Sequence, residues 1–168
     1  LNYKVHVVDI PISVDEIEGE FLRTHIATNG CCGEKELIKL QAYTLTQHSI
    51  VVHLDLDTIV LKPLDDLFDT MLQNTIAKKV IPAHHIMPKY LERNINSVDF
   101  IFTRDYNMAQ NLKKSVGVQG GFFVLRPSLP ILEEMKVLLR KGHYTPRKGW
   151  GDANFGQFFG SQTIQGFL

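Results

Sequence analysis

Ile50-Val51-Val52-His53-Leu54-Asp55-Leu56-Asp57 is a β-branched, mostly apolar run that ends in two carboxylates one residue apart. A run this continuous reads as the central strand of a parallel sheet covered on both faces, rather than as a half-exposed strand. Open α/β sheets take their ligands beyond the carboxyl ends of such strands. The strand's period of two puts Asp55 and Asp57 on one side of the chain and turns Leu56 back toward the core. Hard divalent cations prefer oxygen ligands, and two carboxylates neutralise such an ion while leaving positions for phosphate oxygens and water. A nucleoside diphosphate suits this half-filled site, because a cation there stabilises charge building on the leaving phosphate oxygen.

The flanking segments build an α/β chain around that run. Tyr3 to Ile10 reads as a strand ended by Pro11. From Glu34 to about Gln47, Leu37, Ile38, Ala42 and Leu45 fall on one helical arc, with Gly33 just before it. On this spacing Lys39 lies off the apolar arc and reads as a solvated surface lysine. Pro63 marks a helix start, with Asp65 and Asp66 favoured in its first turn by the helix dipole. Val118 to Ser128 reads as a turn feeding a second buried strand, and Gly120-Gly121 signals a close approach of backbone or ligand. Ser128 is a natural N-cap for a helix whose stripe is Ile131, Leu132, Met135, Leu138 and Leu139 and which ends at Gly142. Lys148-Gly149-Trp150-Gly151-Asp152-Ala153-Asn154-Phe155-Gly156 packs glycines around one acid and one Trp, the mark of a tight loop. The polar stretch 82–97 reads as a surface excursion, and its His84-His85 pair lacks a third ligand at metal spacing.

Composition narrows the classes. With 168 residues and 44% apolar content the chain can bury one sizeable core, so a single domain, or most of one, is expected over 1–168. Eighteen basic residues balance eighteen acidic ones, and no stretch concentrates Lys and Arg with aromatics, which argues against nucleic-acid binding as the main activity. The apolar runs fall short of the roughly 20 residues that cross a bilayer. The chain opens on Leu1 in strand-like sequence and stops at Gly166-Phe167-Leu168 inside an apolar pattern, which reads as a fragment cut at both ends. A membrane anchor then belongs only outside this segment, and both the Golgi or ER lumen and the cytoplasm stay open. Cys31 and Cys32 are the only cysteines. Adjacent Cα atoms about 3.8 Å apart are too close for a relaxed disulfide, and no Cys-x-x-Cys pattern exists, so the pair reads as two small residues in a loop. No asparagine begins an Asn-x-Ser/Thr acceptor.

Lys35 to Asp69, with Leu37-Ile38-Lys39-Leu40-Gln41-Ala42-Tyr43-Thr44-Leu45-Thr46, His53-Leu54-Asp55-Leu56-Asp57-Thr58 and Asp65-Asp66-Leu67-Phe68-Asp69, closely resembles glycosyltransferase family 8. The glycogenin-like enzymes of plants and algae belong to it. Gln119-Gly120-Gly121-Phe122-Phe123-Val124-Leu125-Arg126-Pro127-Ser128 is similar to the same family's Asn-Ser-Gly strand, and order and spacing agree over most of the chain. The resemblance implies a GT-A fold, a mixed and mainly parallel sheet flanked by helices and here partly truncated. It implies a nucleotide-sugar donor, usually UDP-linked, with Mn²⁺ or Mg²⁺ and transfer with retention to a carbohydrate, lipid or protein acceptor. It makes Asp55 and Asp57 the metal and diphosphate ligands, sets the backbone of Leu56 near the nucleotide, and gives Lys39 and Gln119-Gly120-Gly121 donor-site roles. Asp152 becomes the catalytic candidate.

Three departures stand out. Gln119-Gly120-Gly121 replaces Asn-Ser-Gly, so a side-chain amide survives one methylene longer and the hydroxyl is gone. Gly151-Asp152-Ala153-Asn154 only loosely matches the family's Gly-Asp-Gln-Gly. The family's third metal ligand, a histidine in His-x-x-Gly-x-x-Lys, has no counterpart after Asp152 and is expected beyond residue 168, as the uracil-cradling strand is expected before residue 1. The segment alone is therefore expected to bind donor weakly or not at all. Two other classes compete. A haloacid-dehalogenase-type phosphatase would use Asp55 as nucleophile with Mg²⁺, but it needs a second downstream acid where Gly156 stands. A glycosyltransferase-like module without activity would only bind a partner.

Overall fold

The computed structural model describes residues 3–72, 98–105, 117–153 and 158–168. It is a mixed helix-and-sheet structure. Its longer helical elements, beside 3-10 turns at Val14–Glu16 and Ile26–Thr28, are α1 (Glu20–His25), a 3-10 helix over Gly33–Thr44, α2 (Asp65–Leu72), α3 (Leu129–Lys141) and the single turn α4 (Ile164–Phe167). Strands β1 (Val51–Leu54), β2 (Phe100–Arg104) and β3 (Val118–Leu125) form one sheet, and β4 (Tyr144–Thr145) with β5 (Gly149–Trp150) forms a hairpin.

The sheet order is β1-β3-β2, and both pairings are antiparallel. Among the described residues this corrects the expectation of a mainly parallel sheet with the 50–54 run at its centre. Among the described residues β1 pairs with β3 alone, in register Val51↔Leu125 to Leu54↔Phe122, and is only half-buried. The central place goes to β3, whose Phe123, Val124 and Leu125 are buried. A β-branched run reports strand propensity but not how many neighbours the strand has. Tyr3 to Ile10 also differs from expectation: it forms no strand, pairs with none among the described residues, and exposes Tyr3, Val5 and Val7. Gln41 Nε2 donates to Asp9 O at 2.8 Å and ties the segment to the 3-10 helix.

The Gly33–Thr44 helix explains a second difference. An α-helical arc would bury Leu37, Ile38 and Ala42, but this helix buries Leu37, Leu40 and Tyr43, and Ile38 is 41% exposed. Three residues per turn stack positions i and i+3 directly above one another, so the buried row steps by three. The adjacent row, Glu36 and Lys39, is thereby turned toward the sheet. Helix α3 follows the sequence closely: Ser128 Oγ accepts from Ile131 N at 3.4 Å, and Gly142 closes the helix at φ 57°. Its apolar face is narrower than the stripe, since Leu132 and Leu139 are buried while Ile131 and Leu138 are exposed. Leu132, Met135 and Leu139 meet Leu22, Ile26, Leu40 and Phe123 in the core. The end of α3 packs on the N-terminal segment, with Arg140 Nε 2.8 Å from Glu16 Oε2; a Cβ on Gly19 would collide with the Gly142 backbone, and one on Gly142 with the Ile17 side chain.

Leu40→Ala is expected to cost about 2–5 kcal/mol, the range for emptying a fully buried leucine site. Ile38→Ala is expected to cost less than half as much, because much of that side chain is already in water. Urea unfolding of the two variants reads the difference, and equal losses would return this segment to an α-helical period.

Candidate functional site

Lys39 is the centre of the site. Its Nζ lies 2.8 Å from Glu36 Oε2, 3.1 Å from each carboxylate oxygen of Asp55 and 3.1 Å from Gly120 O. The side chain is only 11% exposed, so the surface lysine that α-helical spacing predicts is instead drawn inward. Three elements meet at this one ammonium: the 3-10 helix, the end of β1, and β3. His53, two residues before Asp55 on β1, brings Nε2 to 3.1 Å from Asp55 Oδ1 and stacks on Phe123 with ring centroids 4.5 Å apart.

Two glycines make the approach feasible. A Cβ on Gly121 would sit 3.1 Å from Asp55 Oδ2, and one on Gly120 would sit 3.1 Å from Ile164 Cγ2. The close approach signalled by Gly120-Gly121 is thus partly a carboxylate and partly α4. Gln119 folds back so that its Oε1 accepts from Gly121 N at 2.6 Å, a reach that its extra methylene allows. With that oxygen committed, its amide NH₂ is the group left to donate. Asp55 N donates to Gly121 O at 2.9 Å and continues the ladder one residue past β1.

The ladder then stops. Thr58 N donates to Asp55 O at 2.9 Å, closing a turn over Leu56 and Asp57. The period of two therefore does not carry through the aspartate pair. Leu56 is fully exposed rather than turned into the core, and Asp57 is exposed on the turn while Asp55 is half-buried beside it.

These groups line a cleft of about 220 Å³. Lys39, Asp55, Gln119, Gly120 and Gly121 are brought together there; Leu56, Asp57 and Asp152 do not line it. Asp152 sits after β5 in a left-handed conformation, φ 58°, that aspartate tolerates better than most residues. Its carboxylate is 3.7 Å from His143 Nε2, and hydrogen bonding with Thr145 holds it below the ordinary carboxylate range. His84-His85 and the end of the 148–156 loop lie outside the described residues.

Sequence reading missed several members of the cleft. Glu36 had a readable signal, the i, i+3 step to Lys39, and so did His53, which pairs with Asp55 at an i, i+2 step without lining the cleft. Asp105, Phe159 and Gln165 had none, because only the fold brings them near; Gln165 Nε2 donates to Asp105 Oδ2 at 2.9 Å. Among the described lining residues three carboxylates, of Glu36, Asp55 and Asp105, face the one ammonium of Lys39. The cleft is negative.

Burial opposes ionisation throughout the cluster, and pairing overrides it in three of four groups. Burial pulls Lys39 down, but Glu36 and Asp55 more than restore it, leaving the ammonium above its ordinary value. Burial pushes Glu36 and Asp55 up, and the Lys39 hydrogen bonds, helped by Cys31 and His53 respectively, bring both below theirs. For His53 burial wins and lowers the imidazole, despite Asp55. At the rim, Cys31 Sγ is 2.7 Å from Cys32 Sγ and donates to Glu36 Oε1 at 3.1 Å. That thiol is pushed up to about 12, first by Cys32 and then by Glu36.

Two donor sets could hold a cation. Asp55 and Asp57 offer hard carboxylate oxygens beside a negative cleft, chemistry that fits Mn²⁺ or Mg²⁺, although a cation at Asp55 shares that carboxylate with Lys39. Cys31, Cys32 and Glu36 offer ligand atoms within 4.8 Å of one another. No helix among the described residues is long and apolar enough to cross a membrane. Comparison with protein-family models, with curated proteins and with solved structures finds no match.

Lys39's raised value means that its contribution to stability is complete below its ordinary 10.5 and is lost as pH climbs through the higher folded value. Glu36 and Asp55 contribute stability above their ordinary 4.5 and 3.8, lost as pH falls through the lower folded values. The stability gap between wild type and Lys39→Met is therefore expected to be widest between about pH 5 and 9 and to close at both extremes. Thermal melts across pH test this, and a gap independent of pH would reduce Lys39 to a packing role.

Proposed function

We propose that this chain is a metal-dependent glycosyltransferase of the family 8, GT-A type, moving a sugar with retention from a nucleotide-diphosphate donor, UDP-linked by preference, to a carbohydrate, lipid or protein acceptor. The observation that carries the reading is the convergence at Lys39. The segments that resemble the family, 35–69 and 119–128, are far apart in the chain, yet Lys39 Nζ reaches both Asp55 and, 81 residues on, the Gly120 carbonyl. A cleft built from those segments supports a common task for them.

The charge of the cleft supports a cation requirement. Three carboxylates against one ammonium repel a diphosphate, so an anionic donor binds only when a divalent cation enters with it. Asp55 and the exposed Asp57 would hold that cation, Mn²⁺ or Mg²⁺, which when bound supplies Lewis-acid stabilisation of the leaving diphosphate. The chain's own groups do the positioning. Lys39 places a positive charge between Asp55 and β3 and holds the Asp55 carboxylate at the cleft. Gly120 and Gly121 let Asp55 and α4 pack close against β3 at the cleft, and Gln119 contributes an amide donor.

In the complete gene product, slow Mn²⁺-dependent hydrolysis of a UDP-sugar needs no known acceptor. A screen of UDP-glucose, UDP-galactose, UDP-GlcNAc and UDP-glucuronate is expected to give at least one hydrolysed donor. Asp57→Ala, at an exposed residue, is expected to fold normally and to weaken Mn²⁺-dependent donor binding by about 1.5–3 kcal/mol, roughly ten- to a hundredfold. Unchanged binding in Asp57→Ala, or a covalent aspartyl-phosphate on Asp55 in place of sugar release, would overturn the transferase reading.

A further inference from the structure

The cleft has a second donor set of different chemical softness. Cys31 and Cys32, both exposed, bring their sulfurs to 2.7 Å, and Cys31 reaches Glu36 Oε1 at 3.1 Å. The two thiols sit between Gly30 and Gly33, whose backbones are left-handed at φ 68° and 59°. The turn is anchored: Gly33 N donates to Asn29 O at 3.1 Å, and Asn29 Oδ1 accepts from Gln162 N at 3.0 Å. The geometry points to a site at which Cys31, Cys32 and Glu36 bind one thiophilic divalent cation of the Zn²⁺ or Cd²⁺ class, on the rim of the Lys39 cleft and separate from the Asp55–Asp57 pair.

Donor type decides the metal. Two thiolates and one carboxylate favour a borderline-soft ion, whereas the aspartate pair offers only hard oxygen and favours Mn²⁺ or Mg²⁺. Binding replaces the Cys31 and Cys32 thiol protons, which leave to solvent, while Glu36 enters as the carboxylate it already is. Three protein ligands leave the fourth tetrahedral position to water. Charge also balances: three anionic ligands exceed the cation by one, and Lys39 stands 2.8 Å from the other Glu36 oxygen. Glu36 is thus the bridge between the two donor sets, with one oxygen toward the sulfurs and the other toward Lys39.

The site is tested with Cd²⁺ alone on the reduced, metal-free chain, reading the thiolate-to-cadmium charge-transfer absorbance in the ultraviolet. These are the chain's only cysteines, so the band reports this pair and no histidine site. The expected result is saturation at one Cd²⁺ per chain, competition by Zn²⁺ but not by Mg²⁺, and loss of saturable binding in Cys31→Ser and Cys32→Ser. Glu36→Gln is expected to keep the band and weaken binding on the order of 10-fold or more. No band at stoichiometric Cd²⁺, one Cd²⁺ shared by two chains, or an unchanged affinity in Glu36→Gln would each overturn the proposal. Should a variant fail to fold, the wild-type stoichiometry still decides.

Discussion

One buried ammonium organises this molecule. Lys39 is a cation nearly excluded from water, and a buried charge is tolerated only when partners replace its hydration. Here the replacement is Glu36 on its own helix, Asp55 at the end of β1 and the Gly120 carbonyl on β3. Each partner comes from an element that must be in place for the others to be satisfied. Gly120 and Gly121 belong to the same constraint, since Asp55 and α4 occupy the space that side chains there would need. Removing Lys39 leaves Glu36, Asp55 and the Gly120 carbonyl without their shared cation.

The helix geometry follows from that constraint as much as it serves it. An α-helix over 33–44 would carry Glu36 and Lys39 around its circumference and away from each other's vertical. Three residues per turn stack them, and stack Leu37, Leu40 and Tyr43 beside them in the core. The same turn geometry that buries an apolar row therefore delivers an acid and a base, side by side, to the edge of the sheet.

Local signals in the sequence translated well and non-local ones did not. Helix α3 was legible from its Ser128 cap to its Gly142 stop, and β3 from its apolar run and paired glycines, because capping and strand propensity act within a few residues. The 33–44 helix was legible as a helix but not in its period, and with the period went the burial of Lys39. The sheet order was illegible: an apolar run at 50–54 and another at 122–125 look alike, and only pairing makes β3 central and β1 its neighbour. At the site, the aspartate pair was readable as a carboxylate motif, but the turn closed by Thr58 exposes Leu56 and separates the environments of Asp55 and Asp57. Asp105 and Gln165 enter the cleft through tertiary structure alone.

We propose that the negative cleft accepts an anionic nucleotide only in company with a divalent cation. Calorimetric titration of UDP into the complete gene product, with Mn²⁺ and again with chelator in its place, tests this most directly. Saturable binding with Mn²⁺ and none with chelator is the expected result. Binding of equal strength in both titrations, or in neither, would contradict it.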